Sequence, residues 1–148
     1  MPSPIPTLLV VEDSDEDFAT LQRVLKQIPT SYSIFRCTSG DEALAFLYRT
    51  EEPADRSTPP RPSIILLDLN LPGTDGLNVL ATIKQDKKLK EIPVVVMSGF
   101  DDPQEVQRCY RYGVNSYIKK SFNTQEFVST LKAFISYWLQ SAVFPNIA

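Results

Sequence analysis

Four short apolar runs in this chain end on residues that can do chemistry. Residues 7–11 (TLLVV) lead into Glu12-Asp13, and residues 64–67 (IILL) lead into Asp68. Residues 93–97 (PVVVM) lead into Ser98, and residues 116–118 (SYI) into Lys119-Lys120. If these runs lie side by side and point the same way, three carboxylates, a hydroxyl and an ammonium share one rim. Carboxylates held together repel one another unless a cation intervenes. A hard divalent ion with oxygen ligands, Mg²⁺ or Mn²⁺, resolves the repulsion and keeps positions open for water and phosphate oxygens. A lysine opposite that ion would clamp a dianionic phosphoryl group, with Ser98 donating a hydrogen bond to one of its oxygens. The set suits phosphoryl transfer, where positioning and charge neutralisation supply most of the catalysis.

The elements that must place these groups are legible in the periodicity. The apolar runs alternate with helical patterns, for example Phe18, Leu21, Val24, Leu25 and Ile28 after the first run. A strand-like stretch at residues 32–37 precedes a helix opened by Ser39-Gly40-Asp41-Glu42, which carries Ala43, Leu44, Phe46 and Leu47. Leu77, Val79, Leu80 and Ile83 mark a third helix. Asp102-Pro103 opens a fourth, with proline where its missing N–H costs nothing. Thr124 is the expected cap of a fifth, whose stripe is Phe127, Leu131, Phe134, Ile135 and Trp138. Strands apolar on both faces and separated by helices predict a parallel sheet covered on both sides. The economical arrangement is a five-stranded, doubly wound, flavodoxin-like α/β fold of order 2-1-3-4-5, whose ligands sit at the carboxyl ends of the strands.

The chain of 148 residues is expected to form a single domain, with a core over about residues 6–140. Residues 49–63, which hold four prolines, are expected as a surface loop, and residues 141–148 as a C-terminal extension. A net charge of −3 offers no general attraction for nucleic acid. No apolar stretch approaches the ~20 residues needed to span a bilayer, and no signal peptide is evident, so a cytoplasmic protein is expected. The two cysteines, Cys37 and Cys109, are read as reduced and structural. Histidine is absent, which removes His-based triads, most catalytic zinc sites and a phosphohistidine-carrier role.

Each motif has a plainer reading. Glu12-Asp13 could cap the first helix, Asn70-Leu71-Pro72-Gly73 is turn chemistry in any case, Lys119-Lys120 could be a solvated pair, and Tyr117 a half-buried strand aromatic. The segment after Asp68 half-matches a calcium loop, but Pro72 sits at its fifth position and Val79 replaces the bidentate glutamate. A phosphatase with an aspartate nucleophile would want a second aspartate two residues on as general acid, and Asn70 cannot serve. The joint placement at strand ends outweighs these separate readings.

Taken together, Glu12-Asp13, Asp68 with Asn70-Leu71-Pro72-Gly73-x-Asp75-Gly76, Ser98-Gly99 and Tyr117-x-x-Lys120-x-Phe122 resemble a response-regulator receiver domain over nearly the whole chain. The resemblance implies that Asp68 takes a phosphoryl group from a phosphohistidine on a sensor histidine kinase. It implies direct Mg²⁺ ligation by Asp13 and Asp68, a backbone carbonyl ligand from Asn70, and a role for Glu12 through water. Lys120, Ser98 and Gly99 would meet the phosphoryl group, and Ser98 and Tyr117 would form the switch. The product would be a non-enzymatic phosphorelay switch that loads itself from small donors, hydrolyses slowly and signals through protein contacts. No DNA-binding or enzymatic output domain is expected beside it. Lys120 is preferred over Lys119 because Phe122 then falls two residues later, as in the family. The family usually has proline where this chain has Ser121, so a receiver-like interaction module that is never phosphorylated stays open.

The Pro-rich insertion, residues 67–73 (LDLNLPG), residues 89–95 (LKEIPVV) and the ending Tyr137-Trp138-Leu139 then Phe144-Pro145 resemble more narrowly the small regulators paired with cyanobacterial and bacterial phytochromes. That resemblance implies a phytochrome kinase as partner and a homodimer through the C-terminal segment, with Trp138 and Phe144 in the contact. The apolar Val143, Phe144 and Ile147 beyond the last required helix need something to cover them.

Overall fold

A computed structural model describes residues 5–52 and 58–145. Five strands alternate with five helices: β1 (Thr7–Val11), α1 (Asp15–Lys26), β2 (Ser33–Cys37), α2 (Gly40–Thr50), β3 (Ile64–Asp68), α3 (Gly76–Gln85), β4 (Val94–Ser98), α4 (Pro103–Arg111), β5 (Ser116–Lys119) and α5 (Thr124–Ile135). All pairings are parallel and the sheet order is β2-β1-β3-β4-β5, as the alternation predicts. The registers Val11↔Leu67, Asp68↔Met97 and Ser98↔Lys119 bring the ends of four strands into one row.

Successive side chains of a strand point to opposite faces. Leu9, Val11, Ile65, Leu67, Val94 and Val96 therefore pack with α2, α3 and Cys109 of α4 in one cluster. Leu8, Val10, Ile64, Leu66, Val95 and Met97 pack with α1 and α5 in a second. The three central strands are buried throughout, whereas the edge strands β2 and β5 are only partly covered. Burying each such aliphatic side chain is worth ~1.5–3 kcal/mol against exposure, which makes the central strands the rigid base of the rim. Cys37 and Cys109 are buried and unpaired, and burial pushes their thiols up to about 12 and about 11.

The helices begin where local chemistry supplies a cap. Ser14 caps α1 by accepting from the N–H of Asp17, so Glu12 and Asp13 are released from the capping role. Ser39 and Asp102 cap α2 and α4, and Pro103 opens α4. The cap of α5 is Asn123 rather than Thr124: its side-chain oxygen accepts from Glu126 N–H at 3.1 Å, and Thr124 is already the first helical residue. α5 continues into a wider π-helical turn, Ser136–Ser141, that the periodicity did not indicate.

Two glycines shape the segment after β3. Gly73 has φ +76°, a left-handed turn conformation that L side chains rarely adopt. A Cβ on Gly76 would lie 2.6 Å from Leu69 Cα, so only glycine lets α3 start this close to the residue after Asp68. The Pro-rich loop is described from residue 58 onward, and 53–57 lie outside the described residues. Arg61 ties it down through Glu51 at 2.8 Å and the carbonyl of Lys88 at 2.6 Å.

Candidate functional site

The row of strand ends assembles the predicted rim. Carboxylate oxygens of Glu12, Asp13 and Asp68 lie within 4.8 Å of one another. Glu12 and Asp68 are buried, at 7% and 6% exposure, while Asp13 faces solvent. Asp68 is held by both oxygens: Oδ1 accepts from the N–H of Asn70 at 2.9 Å, and Oδ2 accepts from Lys120 Nζ at 3.3 Å. Lys120 Nζ also donates to Glu12 Oε1 and to Asp17 Oδ2, each at 2.8 Å. Its own N–H donates to the carbonyl of Ser98 at 2.6 Å, which fastens the end of β5 to the end of β4.

Electrostatics follow from this crowding. Burial would lower the Lys120 ammonium, but the Asp17 and Glu12 carboxylates, with the charge of Asp68, overturn that and raise it above the ordinary lysine value. Glu12 is pushed up to about 7, first by burial and then by the neighbouring Asp68 carboxyl, with Lys120 only partly offsetting both. One ammonium does not neutralise this group of carboxylates. A hard divalent cation fits the donor set, which is all oxygen, two-thirds buried and open to water on the Asp13 side.

The two lysines separate cleanly. Lys119 is on the opposite face of β5, 57% exposed at its side chain, and pairs with Asp101 at 3.4 Å. Lys120 is the lysine that reaches the carboxylate rim. The Lys120-Ser121 peptide is trans, as no described bond is cis. Ser121 uses its hydroxyl to start α5, accepting from Asn123 N–H at 3.1 Å and donating to Glu126 at 2.8 Å.

Ser98 is fully buried, and its hydroxyl oxygen accepts from the N–H of Phe100 at 3.2 Å. Tyr117 is half-buried against the α2–α4 side of the core, and its hydroxyl donates to the carbonyl of Phe100 at 2.7 Å. Burial raises the Tyr117 phenol, and the nearby Ser98 hydroxyl partly reverses the shift. Ser98 and Tyr117 thus grip the same residue of the β4–α4 loop from two sides. At Gly99 an added Cβ would meet only the ring tip of Phe122, at 3.7 Å, so the space on its outer side is open.

Asn70 is exposed in the turn after β3. Trp138 and Phe144 lie far along the chain from the rim's residues and stack on each other, with ring centroids 6.3 Å apart at 16°. Tyr137 packs edge-on against Trp138 at 5.0 Å. Phe144 is therefore covered from within, whereas Val143 is 95% exposed, and Ile147 lies outside the described residues. Asp17 was not singled out from the sequence. It lies in the first turn of α1, and the placement of that helix beside the end of β5 brings its carboxylate to Lys120, with no spacing signal in the sequence.

Among the described residues no helix is long and apolar enough to cross a membrane. The response regulator receiver domain family matches residues 8–132. Response regulator Rcp1 of Synechocystis sp. is 38% identical over 143 residues, covering 97% of this chain and 95% of its own. The crystal structure of the Mn²⁺-bound form of Rcp1 superposes with a TM-score of 0.87 at 37% identity, over 95% of this chain and 99% of the other. The phosphorylated cyanobacterial phytochrome response regulator RcpA gives a TM-score of 0.87 at 35% identity, over 97% and 100%. The chain belongs to the response regulator receiver domain family of two-component signalling, and it shares with its phytochrome-linked relatives the five-stranded parallel sheet on whose rim these carboxylates and Lys120 meet.

Proposed function

We propose that this receiver takes a phosphoryl group on Asp68 from a phosphohistidine of a phytochrome-class sensor kinase, in the cytoplasm. The observation that carries the reading is the Lys120 ammonium, 3.3 Å from Asp68 and held by Glu12 at 2.8 Å, on the rim that also holds Asp13. An Asp68 oxygen attacks phosphorus, a P–O bond forms, and the P–N bond to the donor imidazole breaks with its electrons staying on nitrogen. Asp13, Asp68 and the Asn70 carbonyl would hold Mg²⁺, with Glu12 acting through water. The ion supplies charge neutralisation at the phosphoryl oxygens. Lys120 stabilises the transferring group from its other side. Ser98 turns from the Phe100 N–H towards the new phosphate, and Gly99 leaves room for it. That movement frees the loop Tyr117 now grips, and changes the surface a protein partner reads. The named relatives, one phosphorylated and one Mn²⁺-bound, support this assignment.

The test is transfer from a phytochrome kinase already labelled on its histidine. Label should move to the chain on mixing and stay on the kinase when Asp68 is replaced. Retention by the kinase with the native chain would contradict this choice of partner.

The reading extends to a homodimer through the C-terminal segment, supported by the exposed Val143 and Tyr137 beside the Trp138–Phe144 stack. Light scattering on the full chain and on a chain ending at residue 140 should give a dimer and a monomer. An unchanged mass on truncation would remove residues 141–148 from the interface.

A further inference from the structure

Arg36, near the end of edge strand β2, spends its guanidinium on the loop that carries the acidic pair. Nε donates to the carbonyl oxygen of Glu12 at 3.0 Å. Nη1 pairs with Asp15 at 2.8 Å, and the guanidinium carbon stands 4.7 Å above the centre of the Phe18 ring. The N–H of Glu12 donates to the carbonyl of Cys37 at 2.9 Å, so both backbone groups of Glu12 are tied to the last two residues of β2. The Arg36 carbonyl contact fixes the peptide plane between Glu12 and Asp13, and with it the direction in which Asp13 leaves the strand.

The fold alone does not explain this arginine. Nη2 is buried and has no hydrogen-bond partner among the described residues. A guanidinium with an unmet buried donor costs stability, and a well-packed apolar residue commonly replaces such a group at no loss. The Asp15 carboxylate is 92% exposed, and surface ion pairs of that kind contribute little. What remains distinctive is the charged hydrogen bond to the peptide joining the two acidic residues.

We propose that Arg36 is a positioning residue that aims Asp13 at the divalent cation by holding the Glu12 carbonyl. This rests on the reading of Asp13 and Asp68 as Mg²⁺ ligands. Partners that orient metal ligands typically change affinity by 10–100-fold when removed. Lysine at the position carries the charge but lacks the planar fork that reaches the carbonyl while stacking on Phe18.

The experiment is calorimetric Mg²⁺ titration of the full chain and of its Arg36→Ala and Arg36→Lys variants, with thermal melts in EDTA beside each. The expected result is a dissociation constant raised by ~10-fold for Arg36→Ala and by a smaller factor for Arg36→Lys. A constant within twofold of the native value, with or without a lower melting temperature, would make Arg36 merely structural and overturn the proposal. If Arg36→Ala does not fold, Arg36→Lys decides on the same twofold criterion. A native chain that binds no Mg²⁺ would instead overturn the metal reading itself, which the native titration reports separately.

Discussion

Replacing Lys120 by methionine is expected to slow phosphoryl uptake on Asp68 by ~10²-fold, the usual penalty for losing one preorganised donor to a developing anion. Without a divalent cation, the same substitution should destabilise the fold by about 2–4 kcal/mol. Three carboxylates, Glu12, Asp17 and Asp68, now converge on the ammonium, and methionine leaves their charges uncompensated. The loss stays below the full penalty of a buried charge because Asp17 is 29% exposed at its side chain. Most of the loss should return at saturating Mg²⁺, since binding the native state at a hundred times the dissociation constant adds ~2.7 kcal/mol. Mg²⁺ should also bind the variant more tightly, because a competing cation is gone. Melting curves in EDTA and in Mg²⁺, beside phosphorylation rates from a small acyl-phosphate donor, check all three effects. An unchanged rate would remove Lys120 from the phosphoryl group. A destabilisation that Mg²⁺ does not reverse would assign the lysine to packing.

The parts of this architecture that repeat were readable from sequence. Each central strand is a short branched apolar run, so the sheet and its order follow from alternation and from the need to cover both faces. The convergence of Asp68, Glu12 and Lys120 was legible because strand ends in such a sheet are neighbours whatever the loops do. The misses are contacts that depend on register or on one turn of helix. Asp17 reads as one of three acids complementing the dipole of α1, and only the placement of that helix brings it to Lys120. Arg36 sits in a strand whose pairing with β1 decides that it stands beside Val10 and reaches Glu12. Between Lys119 and Lys120 the sequence offered a counting argument, and strand alternation adds a physical one: only Lys120 reaches the carboxylates, while Lys119 pairs with Asp101. Asn123 displaced Thr124 as cap because either side chain can accept an N–H, and the helix begins one residue later than the asparagine. The π-helical turn after Ile135 has no pattern of its own in the apolar stripe, which continues through Trp138 and Leu139.

Replacing Asp68 by asparagine should abolish phosphoryl uptake while leaving the fold intact. The amide keeps the shape of the side chain, and its carbonyl oxygen can still accept the Asn70 N–H that Oδ1 now accepts. It also removes one negative charge from a crowded group, which offsets the loss of the Oδ2 contact with Lys120, so the variant should melt close to the native chain. What it lacks is a nucleophilic oxygen with the electron density to attack phosphorus and form an acyl phosphate. The other rim carboxylates are expected not to substitute: Glu12, just past β1, is engaged by Lys120 at 2.8 Å and by the Ser14 N–H, and Asp13 lies on the solvent side. The most direct measurement is the intact mass of the native chain and of Asp68→Asn after incubation with acetyl phosphate, with and without Mg²⁺. The account predicts a gain of one phosphoryl group in the native chain with Mg²⁺, and no gain in the other three samples. A gain of equal size in Asp68→Asn, or none in the native chain with Mg²⁺, would contradict the claim that Asp68 is the phosphoacceptor.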